Sequence, residues 1–380
     1  MNFELNETQK MIQETARQFA QDELAATADE RDEKEIFPHE QIKKLGELGF
    51  MGMMVPEQYG GADLDALSYA IAMEEISAVD ASCGVIMSVN NSLVCYGLTK
   101  YGSEEQKQKY LTPLATGKKL GAFALSEPEA GSDATNQHTT AVREGDFYIL
   151  NGIKNWITNG INADYVIVIA QTDPAKGHKG ISAFIIEKGM HGFSHGKKER
   201  KLGIRSSDTV SLTFENVKVP VANRIGEEGF GFKFAMMTLE GGRIGIAAQA
   251  LGIAKGSLDA AVKYSKARKA FDKPISELQA IQFKLADMAT DIEAARLLVY
   301  QAAVMKDSGM PYGKEAAMAK LWASKTAVKC ALEAIQIHGG YGYVREYNVE
   351  RYLRDAKITE IYEGTSEIQR IVISRAMLKD

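Results

Sequence analysis

The sequence predicts an α+β multidomain chain: a helical N-terminal domain, a β-barrel-like middle domain and a C-terminal helical bundle. Three observations carry this. Apolar residues recur at helical spacing over residues 1–120 and again over 232–380. Between them, residues 121–231 hold fourteen of the 34 glycines, among alternating β-branched and aromatic residues. A chain of 380 residues, at roughly 150 per domain, makes about two to three domains.

In the first stretch, Leu5, Met11, Ile12, Ala16 and Phe19 recur at helical spacing, and Ile42, Leu45, Leu48 and Phe50 continue the pattern. The turn at residues 56–61 breaks it. Ser103 and Gln106 make a capping-box pair, and Pro113 with Gly117 is expected to end the helix they open. The charge-free run from Asp80 to Lys100 is interrupted by Ser82, Ser88, Asn90, Asn91 and Ser92, so it reads as a buried helix and not a membrane span.

In the middle stretch, residues 147–150, then Asn151-Gly152, then 153–157 have the shape of a hairpin with a primed turn. Residues 165–169, 181–186 and 210–214 read as further strands of a small barrel or sandwich. In the last stretch, Leu278, Ile281, Leu285, Met288, Ile292, Ala295 and Val299 step by threes and fours, the seam of a helix packed along a neighbour. A second long helix is expected over 314–337. The domains are therefore drawn as 1–120, 121–231 and 232–380.

Composition narrows the function. Apolar residues at 45% and charged residues at 25% exclude a disordered chain. A net charge of −5 lacks the basic field that nucleic acid or a membrane surface requires. Cys83, Cys95 and Cys330 form no pairing pattern, which fits a reducing cytoplasm, and residues 1–7 carry no apolar signal-peptide core. His191 and His195 have no carboxylate or Cys partner at ligand spacing, so no metal site is expected. The basic run Lys197–Lys201 reads as a solvated hairpin edge, with a phosphate-bearing ligand as the second reading. No dinucleotide fingerprint, P-loop, HExxH or GxSxG is present.

Two constellations remain. Residues 123–133 (Phe-Ala-Leu-Ser-Glu-Pro-Glu-Ala-Gly-Ser-Asp) form a loop rich in hydroxyls, followed by Trp156-Ile-Thr-Asn-Gly160. This is either a surface that bonds and stacks a flat heterocycle or an ordinary turn beside a core Trp. Glu363, between Ile361-Tyr362 and Gly364, is either a desolvated carboxylate tuned toward general-base use or a complement to the dipole of the helix that follows. Ser366 and Gln369 make a second capping-box pattern opening that helix.

Taken together these segments resemble the acyl-CoA dehydrogenase family, flavin enzymes of fatty-acid and amino-acid breakdown. The likeness spans essentially the whole chain, through Val55-Pro-Glu-Gln-Tyr-Gly-Gly61, Tyr101-Gly-Ser-Glu-Glu-Gln106, Leu125-Ser-Glu-Pro-Glu-Ala-Gly-Ser-Asp133, Trp156-Ile-Thr-Asn-Gly160, Gln336-Ile-His-Gly-Gly340-Tyr-Gly342 and Ile361-Tyr-Glu-Gly-Thr365. It implies that the last domain is a four-helix bundle and the assembly a homotetramer built as a dimer of dimers. It also implies FAD as cofactor, an acyl-CoA as substrate and an electron-transfer flavoprotein as acceptor. Motif wording is closest to short-chain, butyryl-type members, with a medium- or branched-chain substrate as the alternative.

By the same resemblance, Glu363 is the base that takes the α-proton while the β-hydrogen leaves as hydride to flavin N5, giving a trans-2-enoyl-CoA. Phe123, Leu125 and Ser126 line the flavin, and Trp156, Ile157 and Thr158 cover its other side. Arg268, Gln279, Gln336, Gly339 and Gly340 hold the pyrophosphate and adenine across a dimer interface, and Thr365 and Glu367 complete that site. Ser132 and Arg243 meet the CoA portion, Gly364 leaves room for the thioester, and Glu240 lies on the substrate side as a helix-face carboxylate. The sequence departs from many relatives in Ser126, where Thr is common, and in Glu129, where a small residue is common. Isovaleryl-type members carry their base where Gly242 stands here.

Overall fold

The computed structural model describes residues 4–379. Helix α1 (Glu7–Phe19) starts on Asn6, whose side chain accepts from the Gln9 N–H while Gln9 bonds back to the Asn6 N–H. It buries Ile12, Ala16 and Phe19 and leaves Met11, one position off the stripe, 60% exposed. Helices α2 (Ala28–Lys34), α3 (His39–Glu47) and α4 (Ala66–Ser77) follow, then α5 (Ala81–Tyr101). Among the described residues α5 is the one helix long and apolar enough to cross a membrane, and 94% of its apolar window is buried inside the fold. Its polar interruptions are satisfied there: Asn90 Nδ2 donates to Met51 O and Asn91 Nδ2 to Phe50 O, both at 2.8 Å.

The Ser103–Gln106 capping box forms, but Pro113 does not end its helix. Helix α6 runs over 104–115, with a π-helical segment at Lys107–Leu111. Pro113 falls in the first turn after that segment, where a missing N–H is tolerated, and Gly117 (φ +69°) closes the chain reversal.

Eight strands form one sheet, in the order β6 (Phe193–His195), β7 (Thr209–Pro220), β3 (Phe147–Thr158), β2 (Thr140–Glu144), β4 (Tyr165–Gln171), β5 (Ile181–Glu187) and β8 (Arg224–Ile225), with β1 (Gly121–Ala124) beside β4. Alternation serves both faces. Val166, Val168, Phe184 and Ile186 join the sheet's own core, while Phe123, Ile167, Ile169 and Ile185 join the helical core.

The hairpin expected at Asn151-Gly152 is not formed. Residues 147–158 are one continuous strand, and the reversal lies earlier, between β2 and β3 at Gly145 (φ +60°). Asn151-Gly152 marks a bulge against β7. Asn151 Oδ1 accepts from the Asn216 N–H at 2.8 Å, and a Cβ at Gly152 would sit 2.6 Å from Thr139 Cα, so glycine is required by close approach and not by a turn.

The C-terminal helices are α7 (Gly231–Ala267), α8 (Gln279–Asp307), α9 (Gly313–His338), α10 (Val349–Thr359) and α11 (Ser366–Met377). The predicted seam of α8 is present, with Met288, Ile292, Ala295 and Val299 buried. Helix α7 is buried on every side from Gly241 to Ala254. The basic run at 197–201 is not all solvated, because Lys201 is drawn inward to donate to Ser207 O at 2.7 Å and Lys198 reaches Glu35. The loop after it is tied to both helical domains: Ile204 N–H donates to Asp355, and the Arg205 N–H to Asp32.

Candidate active site

Glu363 and Gly364 link α10 to α11, and both have left-handed backbone, φ +51° and +92°. The second capping box is not formed: Thr365, one residue earlier, is the N-cap and accepts from the Ile368 N–H at 3.3 Å, and Ile368 has no side-chain group to bond back. Gln369 is thereby free to face the loop, and its Nε2 donates to Gly364 O at 2.8 Å and Glu363 O at 3.4 Å. Glu363 is partly buried as a residue, yet its Oε2 is sealed from solvent and has no hydrogen-bond partner among the described residues. Burial raises its pKa to about 7, against the pull of Lys320 and Arg243.

The carboxylate rests on α7. A Cβ at Gly242 would lie 2.3 Å from Glu363 Oε2 and 2.8 Å from Leu93 Cδ2. One turn along, a Cβ at Gly245 would lie 2.6 Å from Tyr69 Oη and 2.7 Å from Ser88 Oγ, where Tyr69 donates to Ser88 at 3.1 Å. One further turn on, Gln249 accepts from the Tyr362 hydroxyl. Arg243 is buried with an unpartnered Nε, its pKa lowered by burial and raised by Glu240 and Glu363. Glu240 packs near Gly313, at the start of α9.

The second group sits on β1 and β3. A bulge between Lys154 and Ile157 gives Trp156 a positive φ (+63°) and turns its ring outward, 62% exposed, while Ile157 is buried. The Asn155 N–H donates to Ser126 O at 2.9 Å, which places Leu125 and Ser126 beside Trp156 and Thr158. Phe123 stacks at 6.4 Å on Phe234 of α7. Two exposed or half-buried hydroxyls, Ser126 and Thr158, and an outward indole are the donor set that a flat, polar-edged ring system needs. Ser132 is exposed farther along the same loop, and Glu129 is exposed with His138 Nε2 at 3.4 Å.

Beneath this loop lies a residue that the sequence reading missed. Lys154 is fully buried and donates to Leu125 O at 3.0 Å, Glu127 Oε1 at 2.6 Å and Gln137 Oε1 at 2.5 Å. Glu127 in turn accepts from the His138 and Thr139 N–H groups. Lys154→Met leaves that carboxylate buried without its cation and should cost about 3–5 kcal/mol. A thermal melt together with flavin titration should show both lower stability and weaker FAD binding.

The third group is remote from the second. Arg268 stands just past the end of α7, while Phe234 stands near its start, about 50 Å away along the helix. Arg268 lies 5.4 Å over the Tyr341 ring, in a cavity of about 510 Å³ that Tyr264, His338, Gly339 and Gly340 also line. Its guanidinium carries no ion pair among the described residues, and a Cβ at Gly339 or Gly340 would meet open space. Such a site suits a pyrophosphate. Gln336 is exposed on the last turn of α9, and Gln279 is exposed at the start of α8 outside the cavity's lining. Thr365 and Glu367 are not in this cavity; Thr365 caps α11, and Glu367 pairs with Arg370 at 2.9 Å. The sequence-predicted residues therefore fall into a cluster around Glu363, an edge around Trp156 and a separate cavity around Arg268.

Comparison with known proteins identifies the family. Residues 6–118, 122–217 and 229–378 match the acyl-CoA dehydrogenase N-terminal, middle and C-terminal domains. The chain is 56% identical over 376 residues to the mitochondrial short-chain specific acyl-CoA dehydrogenase of Mus musculus, covering 99% of this chain and 91% of that one. It superposes at a TM-score of 0.98 on butyryl-CoA dehydrogenase from Megasphaera elsdenii, 51% identical and fully covered on both sides. A chain in a structure described as the electron transferring flavoprotein of Acidaminococcus fermentans gives 0.99 at 56% identity, again with both chains fully covered. A glutaryl-CoA dehydrogenase from Mycobacterium smegmatis in complex with FADH2 gives 0.94 at 35% identity, covering 99% of this chain and 96% of that one. With all three domains matched in order and the likeness to these relatives running along essentially the whole chain, the chain belongs to the acyl-CoA dehydrogenase family.

Proposed function

We propose that this acyl-CoA dehydrogenase is an FAD-dependent enzyme for short, straight-chain acyl-CoA thioesters, with Glu363 as the general base and a trans-2-enoyl-CoA as product. The observation that carries the assignment is Glu363 itself: a carboxylate with a sealed, unpartnered Oε2 and a pKa raised to about 7. That value suits a base working near neutrality. FAD, when bound, supplies the acceptor for the β-hydride.

The chain's own residues do the rest. Phe123, Leu125, Ser126, Trp156, Ile157 and Thr158 hold the ring system, and Arg268 with Gln279, Gln336, Gly339 and Gly340 takes the pyrophosphate and adenine. An α-C–H is a very weak acid until the thioester carbonyl is polarised, so donors aimed at that oxygen are required. The Glu363 backbone N–H is not engaged by another residue among the described ones and is one such donor. Gly364 admits the thioester beside it. Arg243, with Glu240 and the exposed Ser132, meets the CoA portion, and the apolar setting of Glu363 keeps water from the transferred proton.

The short chain length is supported by the face of α7. Glu363 abuts Gly242, and one turn away the Tyr69, Ser88 and Ser92 hydroxyls close over Gly245. An acyl chain running along this face meets polar, bulky groups after about 5 Å. Anaerobic titration should bleach the flavin at least tenfold faster with butyryl-CoA than with octanoyl- or isovaleryl-CoA. The reverse preference would favour the medium- or branched-chain alternative.

Assembly follows from the distance along α7. One dinucleotide cannot reach from Trp156 to the Arg268 cavity of the same chain, so a second copy must bring its own Arg268 to the first copy's ring site. Leu297, Val304, Trp322 and Leu332 remain exposed on α8 and α9, which supports a homotetramer built as a dimer of dimers. The chain's likeness to one in the Acidaminococcus structure supports an electron-transfer flavoprotein as acceptor. The cytoplasm, a reducing compartment, suits three free buried thiols.

A further inference from the structure

A non-glycine residue keeps left-handed backbone only where its surroundings over-determine it. At Glu363 they do so chiefly through the carbonyl of the residue that follows it. Gly364 O accepts from Lys320 Nζ at 2.6 Å and from Gln369 Nε2 at 2.8 Å, and both side chains are fully buried. Lys320 stands on a stripe of α9 otherwise made of Ala316, Ala317, Ala323 and Ser324. Its ammonium has no carboxylate within ion-pair distance among the described residues.

We propose that Lys320 is a positioning residue for the reaction: its ammonium anchors the Gly364 carbonyl, holds Glu363 against Gly242, and is the cation against which the Glu363 carboxylate ionises. This rests on Glu363 being the base. The groups facing Glu363 are Lys320 from α9, Arg243 from α7, Tyr69 from α4 and Tyr362 from its own loop. Glu240 and Tyr312 act on Arg243, and Glu360 and Glu367 act on Lys320. The two cations differ in allegiance. The carboxylate acting most strongly on Arg243 is Glu240, whereas for Lys320 it is Glu363. Lys320 is therefore the base's principal counter-charge, even though its hydrogen bond goes to the neighbouring carbonyl.

The holoenzyme and its Lys320→Gln, Lys320→Arg and Glu363→Gln variants provide the test. Gln keeps a donor for Gly364 O and removes the charge; Arg keeps the charge. The readouts are the acid limb of the kcat/KM pH profile and, independent of turnover, an infrared titration of the Glu363 carboxyl, identified by its loss in Glu363→Gln. Lys320→Gln should move both midpoints up by about one pH unit, a loss of about tenfold on the acid side that is recovered at alkaline pH. Lys320→Arg should return the midpoints toward wild type. Unmoved midpoints in Lys320→Gln, or Arg behaving as Gln does, would overturn the role of Lys320. Near-normal turnover in Glu363→Gln would instead overturn the base assignment.

Discussion

Replacing Glu363 with Gln is expected to lower turnover of butyryl-CoA by about 10²–10⁴-fold while FAD and acyl-CoA still bind. Gln keeps the volume and the polar end that face Gly242, but it has no basic lone pair for the α-proton. The pocket should therefore be preserved and the chemistry lost. A second consequence follows from the same burial. The folded pKa of about 7 exceeds the carboxyl's ordinary value of 4.5, so the folded state binds this proton more tightly than the unfolded chain does. Its contribution to stability is fully present below pH 4.5 and is lost as pH rises to about 7. Glu363→Gln removes a group that is unfavourable when ionised, so the variant should melt higher than wild type above pH 7. A variant both inactive and less stable at alkaline pH would contradict this placement of the carboxylate.

Gly242→Ala should separate stability from catalysis in the opposite way. The atoms that a new Cβ would strike, Glu363 Oε2 at 2.3 Å and Leu93 Cδ2 at 2.8 Å, are both the far ends of side chains. They can swing aside at little cost to the fold, but the base must then leave its working position. A misplacement of about 1 Å costs on the order of 10²-fold in rate. The expected result is a Tm within a few degrees of wild type with kcat down by about 10²-fold. At Gly252, by contrast, a Cβ would strike Glu74 O at 2.4 Å, an unyielding backbone atom, and Ala there should harm folding first. A Gly242→Ala enzyme of normal activity would place the productive carboxylate away from α7.

Much of the fold was legible because its signals are local. The threes and fours of Leu278 to Val299, the Ser103–Gln106 box and the helical spacing of Ile12, Ala16 and Phe19 each reflect a face that must be buried. Three errors share another cause. Asn151-Gly152 has the composition of a turn, yet the approach of Thr139 makes it a bulge inside β3. Ser366 has the spacing of a cap, but Thr365 takes that place and frees Gln369 for the Gly364 carbonyl. Lys198 and Lys201 sit in a run that looks solvated until the 29–35 segment and the 204–208 turn meet it.

In the site, Glu363 could be picked out from 50 acidic residues only through its motif, since burial is a property of the packed chain. Lys154 and Lys320 escaped notice because a lysine in sequence is presumed solvated. The signal for Lys320 was its position on an alanine stripe of α9, and that for Lys154 was its inward register on β3. Both buried lysines hold a backbone carbonyl of a loop, Lys154 that of Leu125 and Lys320 that of Gly364. The roughly 50 Å along α7 between Phe234 and Arg268 was not legible either, because it requires α7 to be one unbroken helix of 37 residues.

The most direct test is a single anaerobic turnover of the purified holoenzyme with butyryl-CoA, following the flavin's visible absorbance and the acyl products together. The expected result is bleaching of the flavin with one equivalent of trans-2-enoyl-CoA formed per flavin. A protein that stays colourless with added FAD, or bleaching without the enoyl product, would contradict the assignment.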